Sequence, residues 1–287
     1  MARDLKLGLN TGYWSGGPPA GIGGTIAEAE RLGFDSLWTA EAYGSDVLTP
    51  LAWWGSKTQR MRLGTAIVQL SARTPAATAM AAMTMDHLSG GRFILGLGVS
   101  GPQVVEGWYG QPFAKPLART REYIAILRDI FARQAPVTAA GPHYPLPYPD
   151  GTGFGKPLKS TLHPLRDSIP IFLGAEGPKN VALCAELCDG WLPLFFSPHH
   201  ESFYRDALAG ERQRVVRTLV GDRRLAGQHL ADDVHDLAGA DQRLGERLPV
   251  PALHDLRAAH THAQDDPAAG EVVEGERVHR DAGRRPA

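Results

Sequence analysis

Short, continuous apolar runs alternate with helical patterns along residues 1–210. LKLGLN (5–10) reads as a strand, GTIAEAERLGF (24–34) as a helix closed by Gly33, and DSLWTAEA (35–42) as a second strand. TPLAWWGSKT (49–58) reads as a helix with Thr49 as its cap and Pro50 at the first helical position, and Trp53 and Trp54 read as its packing residues. RLGTAIVQL (62–70) is a third strand, PAATAMAAMTMDHLSGG (75–91) a helix ending in Gly-Gly, and RFILGLGV (92–99) a fourth strand. The next helix is expected only near Lys115, as KPLARTREYIAILRDIFARQ (115–134). A Pro/Gly-rich insertion runs from Ala135 to about Asp167. Then follow a strand IPIFLGA (169–175), a helix PKNVALCAELCD (178–189), a strand GWLPLFF (190–196) and a helix opening at ESFYRDAL (201–208).

The strands are apolar without alternation, which predicts burial on both faces and therefore a parallel sheet flanked by helices. Six strand–helix units followed by a break fit an α/β fold of the (β/α)8 TIM-barrel type, incomplete because only six of its units are recognisable. A doubly wound sheet is the alternative. The break lies near residue 210. Residues 211–287 contain no Trp, Tyr, Phe, Lys, Ile, Met, Asn, Ser or Cys, yet hold six of the eleven histidines. Such a segment has little to bury against its ordering entropy. The codons of Lys, Asn, Ile, Phe, Tyr and Met are poor in G and C, so their joint loss fits a GC-rich gene read out of frame from near Gly210. A disordered tail is the other reading, although such tails are normally rich in Ser and Lys. The expected domains are therefore 1–210, a barrel, and 211–287, an aberrant low-complexity tail.

Composition narrows the function classes. A net charge of −1 and a pI near 6.8 give no electrostatic pull toward nucleic acid or anionic membrane. The start, MARDLKLGLN, is too polar for a signal peptide, and no apolar run approaches a membrane span. A cytoplasmic protein acting on a small molecule is expected. Cys184 and Cys188, four apart on a helical pattern, read as packing in a reduced protein rather than as a metal pair or a disulfide. No metal site is expected.

Residues 96–101 read GLGVSG, the G-x-G-x-x-G spacing of a dinucleotide fingerprint. A Rossmann fingerprint follows the first strand of its unit and opens directly into a helix, with an acidic residue about 20 residues on. Here it follows the fourth strand, Pro102 comes next, and the acidic candidates Glu122 and Asp129 fall within a helix. The glycines instead suit backbone lying flat against a planar ring. GAEGPKN (174–180) joins a strand to a helix, where free N–H groups and the helix dipole favour a phosphate. Gly177 permits close approach, and Pro178 suits the first helical turn.

The stretches FDSLWTAEAYGSDVLTPLAWWGSKTQRMRLGTAIVQLSARTP, MDHLSGGRFILGLGVSGPQVVEGWYG, KPLARTREYI, AGPHYPLP and LGAEGPKNVALCAELCDGWLP together resemble the luciferase-like superfamily, in its actinobacterial branch of coenzyme F420-dependent oxidoreductases. The resemblance covers roughly residues 5–209 and then stops. It implies a TIM barrel with F420 in the C-terminal mouth, FMN being the alternative cofactor, and it leaves a homodimer open. By it, Glu41 is the acidic residue beside the deazaflavin and the one catalytic candidate. Ala66–Ile67 is a non-prolyl cis peptide backing the ring, with Gln69 also a cofactor contact. Gly98, Val99, Ser100 and Gly101 flank the ring, and Gly174, Ala175, Glu176, Gly177 and Pro178 cradle the phosphate. Lys179 and Asn180 stand close by.

Departures from the family pattern bear on chemistry and substrate. Ala42 stands where several relatives place a histidine, and Pro102 and Gln103 where sugar-phosphate oxidisers place a glutamate. For Glu41 a proton-transfer role and a loop-holding role are equally open. Tyr13, Trp14, Trp108 and Tyr109 are expected to wall the substrate pocket. His143 and Tyr144 lie in the insertion, where the superfamily builds a lid, and His199 and His200 follow the sixth strand at the mouth. The function expected is hydride transfer between F420 and a small organic substrate. The alternatives are an FMN-dependent monooxygenase and an inactive remnant.

Overall fold

The computed structural model describes residues 6–194, 196, 197, 199, 201, 202 and 204–209, all within one compact unit, Met1–Ala226. Leu5, His200 and the expected tail 211–287 lie outside the described residues. The strands are β1 Gly8–Asn10, β2 Ser36–Thr39, β3 Arg62–Thr65, β4 Val68–Gln69, β5 Phe93–Gly98, β6 Ile171–Gly174 and β7 Gly190–Leu192. The helices are α1 Ile22–Arg31, α2 Leu48–Gly55, α3 Pro75–Ser89, α4 Pro102–Gly107, α5 Pro116–Ala132 and α6 Pro178–Leu187.

Every strand pairing is parallel, and the order is β1-β2-β3-β5-β6-β7, with β4 pairing β5. The order never reverses, so there is no topological switch point. Right-handed crossovers in one direction put all the helices on one face of the sheet. The other face becomes the inside of a curled wall. The fold is thus an open, parallel half-barrel of the TIM type, and the doubly wound alternative is excluded.

Side chains follow this geometry. Leu37, Leu63, Phe93, Leu95, Ile171 and Leu173 are buried and form the core with the helices. The opposite face carries large and small residues in register. Trp38 pairs with Gly64, which pairs in turn with Ile94, and Gly96 pairs with Phe172, which pairs in turn with Gly190. A Cβ on Gly64 would run into the Trp38 ring, and one on Gly190 into the Phe172 ring. Trp38 and Phe172 meet across the interior at 6.0 Å between ring centroids. Both are half-buried.

The expected elements are present, with corrections. The third strand is cut by a cis peptide at Ala66–Ile67 into β3, which pairs β2 and β5, and β4, which pairs only β5. Helix α2 is capped by Asp46, whose Oδ1 accepts the N–H groups of Leu48 and Thr49 at 2.9 Å, and not by Thr49, which lies inside the helix. Trp54 faces the core, but Trp53 is 66% exposed beneath the Lys57 ammonium. A helix turns about 100° per residue, so one narrow buried stripe cannot take both rings. A helix also begins at Pro102 instead of waiting for Lys115. Gly101 is extended, and its carbonyl accepts from the N–H groups of Val104 and Val105 at 3.1 Å, while Pro102 needs no partner for its nitrogen. The GLGVSG stretch therefore does open into a helix, and strand order is what rules out a Rossmann unit.

Helix α3 starts at a Thr74 cap and ends at Gly90, in the left-handed region. The insertion 135–167 folds back along α5. Ala139 bridges Leu146, and Glu122 accepts the N–H groups of His143 (2.9 Å) and Tyr144 (3.3 Å). Tyr144 packs edge-on against Tyr123 at 5.4 Å. A helix antiparallel to its strands has its N-terminal half at their C-terminal ends, so the turn of the insertion reaches the mouth. Cys184 is buried and donates to the Gly190 carbonyl at 3.3 Å, and both cysteines are free. Among the described residues no helix is long and apolar enough to cross a membrane.

Candidate functional site

Parallel strands of one barrel wall bring their C-terminal ends to one rim, and the expected site residues lie there. At the end of β2, Glu41 is drawn inward and its side chain is 3% exposed. A buried carboxylate needs compensation. Its Oε1 accepts from Gln69 N at 2.9 Å and Arg73 Nη1 at 2.6 Å. Its Oε2 accepts from Val47 N at 3.2 Å and Arg73 Nη2 at 3.0 Å. A carboxylate has about four acceptor positions, and all are filled. Glu41 thereby ties β4, the loop before α2 and the turn before α3 together. This geometry favours the loop-holding role over proton transfer.

Arg73 was missing from the sequence-based candidates. The signal was available, because a buried Glu calls for a cation and Arg73 is the only Arg or Lys between residues 63 and 91. Burial works against its charge, but the hydrogen bonds and charge of Glu41 outweigh this and raise its pKa above the ordinary guanidinium value. Tyr109, half-buried, donates to the Ala42 carbonyl at 3.0 Å. Burial, with the Glu41 charge behind it, raises its phenol pKa. Glu41, Arg73, Tyr109, the exposed Trp108, Ala42 and Gly44–Asp46 line a cleft of about 260 Å³.

Beside this cleft lies the strand break. The Ala66–Ile67 peptide is cis, as the family resemblance implies. The Ile67 side chain projects over the ends of β5 and β6. A Cβ on Gly98 would lie 2.7 Å from Ile67 Cδ1, and one on Gly174 would lie 3.2 Å from Ile67 Cγ2. Glycines at 98 and 174 thus let Ile67 settle between the two strand ends. Gln69, on β4 and 1% exposed, has its Oε1 buried with no hydrogen-bond partner. An orphaned buried carbonyl is rare and calls for a donor. Ser100 holds a left-handed backbone (φ 59), turning the chain from β5 into α4. Val99 packs with Leu70, Ser71 and Phe113 around a small hollow.

On the far side of β6, Gly177 caps α6 without a side-chain hydrogen bond. A Cβ there would meet nothing within 4 Å, so no packing demand accounts for that glycine. Asn180 Oδ1 is buried without a partner in the first turn of α6, while Lys179 is exposed. Glu176 is turned away and accepts from Leu194 N at 2.6 Å. Ala175 is buried, and its carbonyl accepts from Trp191 Nε1 at 2.7 Å. The expected aromatic wall divides. Trp14 packs on Trp54 at 5.3 Å against the core, while Tyr13 is exposed and faces Tyr43 at 6.5 Å. Trp14 is thus a packing residue, because the 11–14 loop is pinned to Ser45, whose Oγ accepts Trp14 N. His199 is exposed, and His143, in the insertion, lies against α5 with its Nε2 3.9 Å from Glu122 Oε1.

Comparisons with known proteins bear on this rim. A Mycobacterium tuberculosis protein named as a coenzyme F420-dependent oxidoreductase is 66% identical over 210 residues, 72% of this chain and 60% of the relative. The chain therefore spans about three-fifths of that relative's length. Among solved structures, the coenzyme F420-dependent tetrahydromethanopterin reductase of Methanopyrus kandleri superposes with a TM-score of 0.60 at 22% identity, over 73% of this chain and 62% of that one. The oxygenating constituent of 3,6-diketocamphane monooxygenase from Pseudomonas putida, in complex with FMN, gives 0.56 at 19% identity, over 72% and 63%. These two share the fold. The family model for luciferase-like monooxygenases matches residues 8–241. That span takes in every element of the half-barrel, and the chain belongs to the luciferase-like monooxygenase family.

Proposed function

We propose that this chain binds coenzyme F420 across the rim and is an oxidoreductase that exchanges a hydride between the deazaflavin and a small organic substrate. The observation carrying this reading is the convergence of Ile67, Gly98 and Gly174 at one place on the rim, with Gln69, whose Oε1 is unpartnered, paired in register with Gly98. That set offers a flat apolar platform with one buried acceptor at its edge. It fits a planar ring system bearing a polar N–H edge. When bound, the deazaflavin supplies the hydride-carrying carbon, and the protein supplies position and shielding. Gln69 receives a ring N–H, the 98–101 backbone lies along the ring, and Gly174–Pro178 with the start of α6 receive the phosphate. Glu41 acts as a positioning residue, holding Gln69 through its N–H. The relative's name and the F420 enzyme among its fold neighbours support F420 over other cofactors.

The FMN-bound neighbour supports a second reading, an FMN-dependent monooxygenase on the same platform. The test is a fluorescence titration of the full chain with F420 and, separately, FMN. Saturable binding of F420, weakened at least tenfold by Gln69→Leu, is expected. Preference for FMN moves the reading to the monooxygenase. Binding of neither marks the chain as an inactive remnant. The composition after Gly210 supports a frameshift there, with the enzyme cytoplasmic and 1–210 its genuine barrel part. Resequencing the gene around that codon is expected to find an inserted or missing base.

A further inference from the structure

The cleft beside the platform has a chemistry of its own. Its floor is the Glu41–Arg73 pair, so the one guanidinium in its lining is already neutralised. Asp46 also lines the cleft and its charge reaches Arg73, but its carboxylate is held by the Leu48 and Thr49 N–H groups at the start of α2. With Arg73 paired to Glu41, the cleft carries no uncompensated positive charge to draw in an anion. Arg73 nevertheless keeps donors. Five N–H bonds radiate from a guanidinium, and the Glu41 carboxylate takes two of them. One wall is aromatic: Trp108, 63% exposed, and Tyr109, whose hydroxyl proton is engaged by Ala42 O. An exposed tryptophan ring beside a charge-neutral donor is a place for a flat apolar body carrying one acceptor.

We propose that this cleft is the substrate subsite and that it takes neutral carbonyl compounds with a planar apolar body, their oxygen on a spare Arg73 N–H and their body against Trp108. Calling the ligand a substrate rests on the oxidoreductase reading above, whereas the binding chemistry does not. Anionic substrates such as phosphate esters or carboxylates are excluded by the same residues. The pairing of Arg73 with Glu41 therefore sets specificity by cancelling a charge that would otherwise capture anions.

The test uses the full chain without cofactor and three probes of equal shape, followed by ligand-observed NMR titration: acetophenone (neutral carbonyl), benzoate (anion) and benzamidine (cation). Acetophenone is expected to bind saturably and at least tenfold more tightly than either charged probe. Trp108→Ala is expected to weaken it at least tenfold. Glu41→Gln frees the Arg73 charge and is expected to raise benzoate affinity at least tenfold. Should that variant fail to fold, Arg73→Gln uncovers Glu41 and is expected to raise benzamidine affinity instead. Benzoate or benzamidine binding as tightly as acetophenone to the unaltered chain overturns the proposal, as does indifference to Trp108→Ala. Competitive displacement of acetophenone by F420 also overturns it, because the cleft would then belong to the cofactor. Acetophenone binding in a chain that binds no F420 sinks the cofactor reading and leaves this one standing.

Discussion

Replacing Arg73 with Met removes the cation from a carboxylate that has no route to water of its own. Glu41 is 3% exposed, and Arg73 supplies two of its four hydrogen bonds. Breaking a fully buried ion pair from one side costs about 3–5 kcal/mol. Two features bring the expected loss to the lower end. Arg73 is itself 23% exposed, so water can follow the methionine into the cleft. The N–H groups of Gln69 and Val47 remain on the carboxylate. The expected destabilisation is about 3 kcal/mol, or roughly 6–12 °C in melting temperature for a domain of this size. The cost comes from the stranded charge and not from lost packing, so neutralising that charge relieves it. Arg73→Met combined with Glu41→Gln is therefore expected to be more stable than Arg73→Met alone. Urea unfolding of the four proteins, with m-values compared, measures the coupling. A single variant within about 0.5 kcal/mol of the parent, the range of an ordinary surface substitution, or a double variant as unstable as the sum of the singles, refutes the view that Arg73 compensates a buried anion.

Four other substitutions read different parts of the structure. Gly98→Val drives a side chain into Ile67 and is expected to cost about 1–3 kcal/mol by overpacking. In a cofactor titration it should weaken F420 at least tenfold, and unchanged affinity would separate Ile67 from the cofactor. Trp54→Ala, in the core, is expected to cost about 3–5 kcal/mol, and Trp53→Ala, on the surface, less than about 1 kcal/mol. Equal losses by denaturant titration would mean that α2 is rotated. Tyr123 is buried, which raises its phenol pKa, and its hydroxyl donates to the Arg73 and Thr74 carbonyls. The unfolded chain releases that proton near pH 10 while the folded one keeps it, so its contribution is full below about pH 10 and falls above by up to about 1.4 kcal/mol per pH unit. Unfolding midpoints of the parent and Tyr123→Phe between pH 9 and 11 should show the steeper alkaline loss in the parent.

The half-barrel was legible because its signals are local. Buried parallel strands are apolar throughout, and helices carry Pro at the start and Gly at the end, as at Pro75 and Gly90. What the pattern missed turned on side chains reaching across short gaps. Asp46 and Thr49 both suit a cap, and only where the helix starts, at Leu48, decides for Asp46. The α4 helix is six residues long, and periodicity cannot register so short a run. The third strand reads as continuous because Ala66 and Ile67 are as apolar as their neighbours. Nothing in their chemistry alone betrays a break, and only the family likeness pointed to it.

The candidate site divides in the same way. Glycines 98 and 174 look like ring-side and phosphate-side residues in sequence, and in space both make room for Ile67. Glu41 looks like the one ionisable group available for chemistry, and in space it is saturated. The groups left wanting a partner are Gln69 and Asn180, both neutral, and Gln69 sits in a strand of apolar residues. A titratable residue stands out in a sequence because it could do chemistry, but burial decides whether its lone pairs are still available. By that criterion this rim presents a neutral acceptor toward one ligand and the spare donors of a compensated guanidinium toward another. Under the proposed function, a site built this way orients a planar ring and a carbonyl compound against each other through neutral or compensated groups. Hydride transfer asks for just that division, because the hydride carrier brings the reactive bond and the protein fixes the distance across which it moves.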